Sequence, residues 1–209
     1  MPTNGLGSQL SLRLTRSRAA VIAAAFLAIT AFGPVAPANA DNYSGQTGDT
    51  GCTGLNEADN ATHSFHYVDL TQHMTDATNW ARTNNLNPTD INTTYDSTLD
   101  SLTDVVVRDV HYVDYCGYDW LQPGGSGVVG LATCDSLSPS GQCEQHTVRY
   151  NLNFTESTPQ SNERGLACHE LGHTLGLQHT TGNTCMQTGY PKPVNDYSNH
   201  DRTHIANNY

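Results

Sequence analysis

The chain has 209 residues, and its 20 acidic side chains outnumber its nine Lys and Arg side chains, which gives a formal net charge of −11. Such an acidic balance opposes association with nucleic acid and with anionic membranes, so neither is expected as a partner. The six cysteines, even in number, favour disulfide bonds and an oxidising compartment.

The first forty residues predict a secretory signal peptide rather than part of a fold. Three arginines precede an apolar stretch over Ala19–Phe32, and Ala38-Asn39-Ala40 matches an A-x-A cleavage site. An uncleaved membrane anchor is the alternative. Cleavage would leave residues 41–209 as a single domain with six basic and twenty acidic residues, a net charge of −14. We therefore expect a secreted, monomeric protein.

The mature chain alternates strand and helix signals. The predicted strands are His63–Leu70, Asp104–Val113, Val128–Thr133 and His146–Phe154. The predicted helices are Thr71–Asn85, one or two turns around Asp96–Leu102, a helix that starts near Ser161, and Asp196–Asn207. Thr71 and Ser161 are the candidate N-cap residues of their helices. The valines of the second strand predict burial on both faces and a central position. This order of elements predicts an α+β domain with a twisted mixed sheet and two long helices.

One stretch of the chain carries the chemistry. In a helix, His169 and His173 lie on adjacent turns of one face, and two imidazoles so placed can bind one Zn²⁺. Glu170 could reach a water on that zinc without being a ligand, and serve as general base and then general acid. Gly176 can adopt a positive φ and end the helix, so that His179 supplies a third ligand. Three protein ligands plus one water make the open geometry of a catalytic zinc.

Three other interpretations of this stretch stay open. The pattern could mark an ordinary helix with two surface histidines. The domain could be a zinc-bearing binding module whose catalysis has lapsed, or a secreted metal-binding protein that uses its ten histidines. A metal-binding protein predicts several ions per chain, whereas a peptidase predicts one tightly bound zinc. No metal role is assigned to the seven other histidines.

The pattern His169-Glu170-x-x-His173-x-x-Gly176-x-x-His179 resembles the metzincin zinc-peptidase motif at every defined position. Met186, the only methionine after the motif, is the candidate for the methionine turn that metzincins place beneath the metal. The resemblance implies a metzincin-like peptidase domain with an upper subdomain over about 55–176 and a small lower subdomain over about 177–209. It also implies a protein or peptide substrate in the cleft between them, bound extended along an edge strand for which Gly130–Thr133 is the candidate.

Within that family the matrixin branch is slightly favoured. Thr180 follows the third histidine, where matrixins carry the chemically similar serine. Calcium is possible, but no calcium-ligand pattern in the sequence supports it. Other branches place a tyrosine two residues after the methionine, whereas Tyr190 lies four residues after Met186 and is interpreted as a packing residue. Specificity is expected in a pocket beside the zinc, shaped by Leu131 and residues 188–193.

Six cysteines allow fifteen pairings. The preferred set contains Cys134–Cys143, which would close a short loop, and Cys168–Cys185, which would tie the start of the active helix to the methionine turn. Cys52–Cys116 then follows by elimination. Another interpretation leaves Cys52 as a thiolate that caps the zinc in a latent form.

Overall fold

The structure is a computed structural model, and it describes residues 42–44, 48, 51–52, 56–122 and 127–209. All the described residues belong to one compact unit. The predicted signal peptide lies outside them. Among the described helices, none is both long and apolar enough to cross a membrane.

A five-stranded, mostly parallel sheet forms one layer of the molecule. Its strands are β1 (Thr62–Val68), β2 (Asn92–Tyr95), β3 (Val105–Val110), β6 (Gly130–Leu137) and β7 (Cys143–Asn151), and a separate hairpin pairs β4 (Asp114–Tyr115) with β5 (Tyr118–Asp119). The order across the sheet is β2-β1-β3-β7-β6. Four strands run parallel, and β6 pairs antiparallel with β7 at one edge. The predicted mixed sheet is thereby confirmed.

Strand β3 lies in the middle of the sheet, as its valines predict. Val105, Val106 and Val107 are all buried, and β3 has a parallel neighbour on each side. A strand covered on both faces needs apolar side chains at successive positions rather than at alternate ones. The valine run therefore identified this strand correctly.

The described part of the chain contains four α-helices. They are α1 (Gln72–Ala81), which continues as a π-helical turn over Arg82–Leu86, α2 (Leu152–Thr155), α3 (Gln160–Thr174) and α4 (Asn199–Asn208). Thr71 caps α1 through a hydrogen bond from the backbone N–H of Met74, as predicted. The predicted cap at Ser161 is wrong, because α3 already begins at Gln160, directly after Pro159. Pro159 is the N-cap residue, with φ −61° and ψ 142°, so the helix begins two residues earlier than a cap at Ser161 would place it.

Two further predictions of local structure are wrong. Residues 96–102 form no helix, because their polar side chains satisfy local backbone groups instead. Asp96 accepts a hydrogen bond from the N–H of Thr98 at 2.9 Å, and Asp100 accepts one from the N–H of Leu102 at 2.8 Å. Such bonds compete with helix formation. Strand β7 ends at Asn151, whose side chain caps the short helix α2, and so does not continue to residue 154 as predicted.

One hydrophobic core joins the sheet to α1 and α3. It includes Phe65, Val105, Val107, Val148 and Tyr150 from the strands, and Met74, Ala77, Ala81, Leu166 and Leu171 from the helices. Helices α1 and α3 pack against each other, and α3 also contacts β6. The core therefore fixes α3 beside the antiparallel edge of the sheet.

The three disulfides pair as predicted. Cys52 bonds to Cys116, Cys134 to Cys143 and Cys168 to Cys185, with Cα atoms 5.7, 5.7 and 6.0 Å apart. None of the six cysteines is free. The interpretation of Cys52 as a thiolate cap on a metal is therefore wrong, because its sulfur is bonded to that of Cys116. Three disulfides also indicate that the protein matures in an oxidising compartment.

Candidate metal centre

The chain reverses at the C-terminal end of α3, and this reversal brings His179 close to His169 and His173. Gly176 has a φ of 84°, and its N–H donates to the carbonyl of His173 at 3.0 Å. The N–H of Leu177 reaches back to the carbonyl of Gly172 at 3.1 Å. These two bonds and the left-handed glycine form a Schellman cap, which reverses the chain. The predicted helix end at Gly176 is confirmed, and the reversal carries His179 back towards the helix.

Three imidazole nitrogens converge at this point. The Nε2 atoms of His169, His173 and His179 lie 3.1, 3.2 and 3.2 Å from one another. Nitrogens bound at 2.0–2.1 Å around a tetrahedral zinc ion lie about 3.3–3.4 Å apart, so the observed triangle fits such an ion closely. In the described part of the chain, this is the only group of three or more His, Cys, Asp or Glu residues placed to hold a metal.

The opposite nitrogens of two of these rings are fixed by the backbone. Nδ1 of His169 lies 2.7 Å from the carbonyl oxygen of Cys185, and Nδ1 of His173 lies 2.7 Å from that of Leu177. A carbonyl oxygen can only accept, so each Nδ1 carries the proton and each Nε2 presents its lone pair. This tautomer is the one that ligates metals, and the carbonyl partner also makes the imidazole more basic.

The electrostatics also favour neutral imidazoles. Burial lowers the pKa of His173 to about 3 and that of His169 well below its usual range, and the neighbouring imidazoles lower both further. Burial likewise lowers the pKa of His179, although its side chain reaches solvent. Neutral imidazole is the form that binds a metal, so the three rings suit a cation better than they suit protons.

Met186 lies against α3 at the level of the triad. Its side chain is fully buried and packs on Gly172, where any side chain would overlap its sulfur. Its carbonyl accepts a hydrogen bond from the N–H of Thr180 at 3.1 Å, which ties the turn to the residue after His179. Met186 therefore packs beside the turn of α3 that carries His173, and its place beneath a bound metal stays a prediction.

Residues 42–44 form hydrogen bonds with the chain reversal that follows α3. Tyr43 forms an antiparallel bridge with Leu177, and the N–H of Ser44 donates to the carbonyl of Gly176 at 3.0 Å. The side-chain amide of Asn42 donates to Asp201 of α4 at 2.6 Å. The segment thus links the reversal after α3 to the last helix. The sequence gives no sign of this contact, since it depends on pairing across more than 130 residues.

Glu170 lies beside the triad and against the edge strand. Its side chain is 3% exposed, and burial raises the pKa of the carboxyl to about 8, against the opposing effects of Lys192 and of a hydrogen bond from the backbone of Ala132. A side chain at Gly130 would begin only 2.7 Å from the carboxyl carbon of Glu170. The glycine on β6 therefore makes room for this carboxylate.

A cavity of about 290 Å³ opens next to these residues. His169, His179 and Glu170 line it, together with Val128, Val129, Leu166 and, from the predicted segment 188–193, Gly189, Tyr190 and Lys192. Leu131 is not in its lining, so that part of the prediction is wrong. Side chains alternate along a strand, and Gly130 and Ala132 are the residues of β6 that meet Glu170.

Tyr190 forms part of the cavity wall. Its hydroxyl donates to Oγ1 of Thr158 at 2.8 Å, so the hydroxyl is engaged within the protein. This contact agrees with its interpretation as a packing residue. A larger depression of about 490 Å³, lined by Arg108, Asp135 and Glu144, lies on the sheet away from the triad. It holds no group of donors comparable with the three imidazoles.

Sequence reasoning missed Lys192. It is the only lysine of the chain, and its side chain is only 5% exposed. Its ammonium lies 3.0 Å from Nδ1 of His169 and donates to the carbonyl of Gln187. Burial lowers its pKa to about 8, opposed by the charge of Glu170. The rarity of lysine and its position between two prolines are the signals that could have singled it out.

No protein-family model matches the chain, and a search of curated proteins returns no significant match.

Proposed function

We propose that the protein is a secreted zinc-dependent endopeptidase. The observation that carries this proposal is the triangle of imidazole nitrogens, of which those of His169 and His179 line the same cavity as the carboxylate of Glu170. The resemblance of the motif to that of metzincins supports it, as does the order of strands and helices before α3. The oxidising compartment indicated by the disulfides and the signal-peptide pattern of the first forty residues support secretion.

His169, His173 and His179 would hold one zinc ion through Nε2. Two of the rings already have the required tautomer, because backbone carbonyls accept from Nδ1. When bound there, zinc would lower the pKa of a coordinated water to about 7 and polarise the scissile carbonyl. The protein supplies three ligands and leaves one side open, since His179 faces solvent while the other two histidines are buried.

Glu170 would transfer a proton from the attacking water to the leaving amine. As general base it takes a proton from the attacking water, and as general acid it returns that proton to the amine that leaves. A carboxyl whose pKa lies near neutrality can do both, and burial raises the pKa of Glu170 in that direction. The backbone of Ala132 and the charge of Lys192 keep the carboxylate form accessible despite the burial.

The substrate would bind as an extended peptide along β6. This strand lies at the end of the sheet, and among the described residues its outer edge is bridged only by Gly51, at Cys134, beyond Gly130–Thr133. Gly130–Thr133 forms its first half, and Gly130 touches the general base. An extended peptide adds to such an edge through main-chain hydrogen bonds, which would carry the scissile bond past Glu170.

The test is hydrolysis of unfolded casein by the secreted protein, with and without 1,10-phenanthroline, together with metal analysis. The proposal predicts one zinc per chain, activity that the chelator abolishes, and recovery when zinc is restored. A folded protein with one zinc that hydrolyses nothing would favour a binding module. Several metal ions per chain without hydrolysis would favour a metal-binding protein.

A further inference from the structure

We infer that Lys192 makes the cavity beside the triad select substrates with an acidic side chain next to the bond that is cleaved. This inference rests on the proposed peptidase function and names its substrate class. It is carried by the position of one ammonium group, by the acceptors around that group, and by the apolar walls of the cavity.

Lys192 is a buried residue rather than a surface residue. The chain has twenty acidic residues but a single lysine, and that lysine is 5% exposed. Its backbone packs against Gly165 of α3, where an added Cβ would lie 2.5 Å from Cβ of Lys192 and 2.6 Å from its carbonyl oxygen. The glycine thus lets the segment approach the helix closely enough to place the ammonium in the cavity. Lysine is almost never buried in this way unless it has a partner.

The partners within the protein do not satisfy this ammonium. It can donate three hydrogen bonds, and the carbonyl of Gln187 accepts one of them. Nδ1 of His169 lies 3.0 Å away, but in the tautomer that turns Nε2 inward this nitrogen is itself a donor, to Cys185. In the described part of the chain, no carboxylate lies within ion-pair distance of the ammonium. The opposite charge that acts on it is the carboxylate of Glu170 in the same cavity, so the ammonium lacks a direct ion-pair partner.

The cavity suits a side chain that has an apolar stem and a carboxylate at its end. Val128, Val129 and Leu166 offer apolar surface to the stem, and Lys192 is the only lysine or arginine among the lining residues. Away from bulk water, attraction between opposite charges is several times stronger than at the surface. A neutral amide of the same shape would leave the ammonium without a carboxylate in direct contact, and a basic side chain would be repelled. The rest of the acidic protein would repel an acidic peptide, so the preference must come from this one group.

The experiment uses the zinc-loaded secreted protein and matched fluorogenic peptides that carry Glu, Gln, Leu or Lys at each of the two positions flanking the cleaved bond. We expect kcat/KM for Glu to exceed that for Gln by at least about tenfold at one of these positions. In Lys192→Met the ratio should fall to about one, and in Lys192→Glu the preference should pass to the Lys peptide. Because each ratio compares two substrates on one enzyme, a general loss of turnover cancels. Arg202→Gln, which removes a basic residue of α4 outside the cavity, should keep the ratio of the unmodified protein.

Two outcomes would overturn the inference while leaving the peptidase intact. One is cleavage of the peptides without a preference for Glu, and the other is a preference that survives in Lys192→Met. If none of the peptides nor casein is cleaved by the zinc-loaded protein, the proposed function itself is wrong and the inference falls with it.

A binding measurement covers the case in which the Lys192 variants lose all turnover. Reductive methylation with ¹³C-formaldehyde labels the α-amino group and the single lysine, and the lysine signal is the one absent from Lys192→Met. The methylated ammonium keeps its charge. In zinc-loaded Glu170→Gln protein, the Glu peptide should shift the ¹³C signal of Lys192 and the Gln peptide should not. Equal shifts with both peptides, or no shift with either, would contradict the inference.

Discussion

The carbonyl oxygen of Cys185 lies 2.7 Å from Nδ1 of His169, and the sulfur of Cys185 is bonded to that of Cys168, the residue before His169. One residue thus holds the first candidate ligand twice, by a hydrogen bond to the ring and by a covalent link to the helix. The orientation of His169 should therefore depend on this disulfide.

Removing that disulfide tests the dependence. The double variant Cys168→Ala, Cys185→Ala should lose about 10–100-fold in zinc affinity, because the carbonyl that orients His169 is no longer fixed. Its free energy of unfolding should fall by about 3 kcal/mol, since the link closes a loop of similar length to those that contribute that much. Competition with a chromophoric chelator and urea denaturation measure the two effects.

The matched control is Cys134→Ala with Cys143→Ala. That disulfide links β6 to β7 and has no contact with the triad, so its loss should lower stability and leave zinc affinity as it was. Equal zinc affinities in all three proteins would show that the link to Cys185 does not orient His169.

Gly130→Ala should separate turnover from metal binding. The added methyl group would overlap the carboxylate of Glu170 and displace it, whereas no atom of the three histidines is among the nearest neighbours. A shift of about 1 Å in a catalytic group can lower the rate about 100-fold, so kcat should fall by this order while zinc content is kept. Gly182→Ala is the control, because the nearest atom to its added Cβ is 3.7 Å away. Full activity in Gly130→Ala would mean that Glu170 is not held against β6.

Two buried histidines away from the triad should make the fold sensitive to acid. Burial lowers the pKa of both His63 and His146 to about 4, so both are neutral in the folded protein at pH 5. In the unfolded chain their pKa is near 6.5, and unfolding below that pH takes up protons. The contribution of these two histidines to the free energy of unfolding is therefore complete above about pH 6.5, and it is lost as the pH falls towards 4.

A variant can isolate this effect from titration of the metal ligands. Between pH 7 and pH 5, His63→Gln should lose on the order of 2 kcal/mol less stability than the unmodified protein, as measured by urea denaturation. Thr62→Ala, an exposed position on the same strand without a titratable side chain, should keep the original pH dependence. An identical pH dependence in His63→Gln and the unmodified protein would contradict the assignment.

The parts of the site that could be predicted from the sequence are the local ones. A spacing of four residues places His169 and His173 on one face of a helix whatever the rest of the fold. A glycine such as Gly176 can end a helix because it can adopt a positive φ. The pairing of Cys168 with Cys185 rests on the family resemblance, which places the methionine turn beneath the metal, and the structure confirms the pair. These inferences needed no knowledge of the sheet.

The parts that could not be predicted depend on weak or distant signals. Strand β2 is a short, polar segment at the outer edge of the sheet, so it has neither the alternation nor the apolar run that marks a strand. The position of Lys192 depends on the close approach of its backbone to Gly165, 27 residues earlier in the chain. A lysine between two prolines is typical of an exposed loop, and only packing places this one inside a cavity.

The most direct test of the central claim compares the unmodified protein with Glu170→Gln, both shown to carry one zinc per chain, in hydrolysis of unfolded casein. Glutamine keeps the shape of the side chain but cannot take the proton. We predict equal zinc content and a loss of turnover of about 100-fold or more in the variant. Equal turnover at equal zinc content would contradict the assignment of Glu170 as general base, and no turnover in either protein would contradict the proposal of a peptidase.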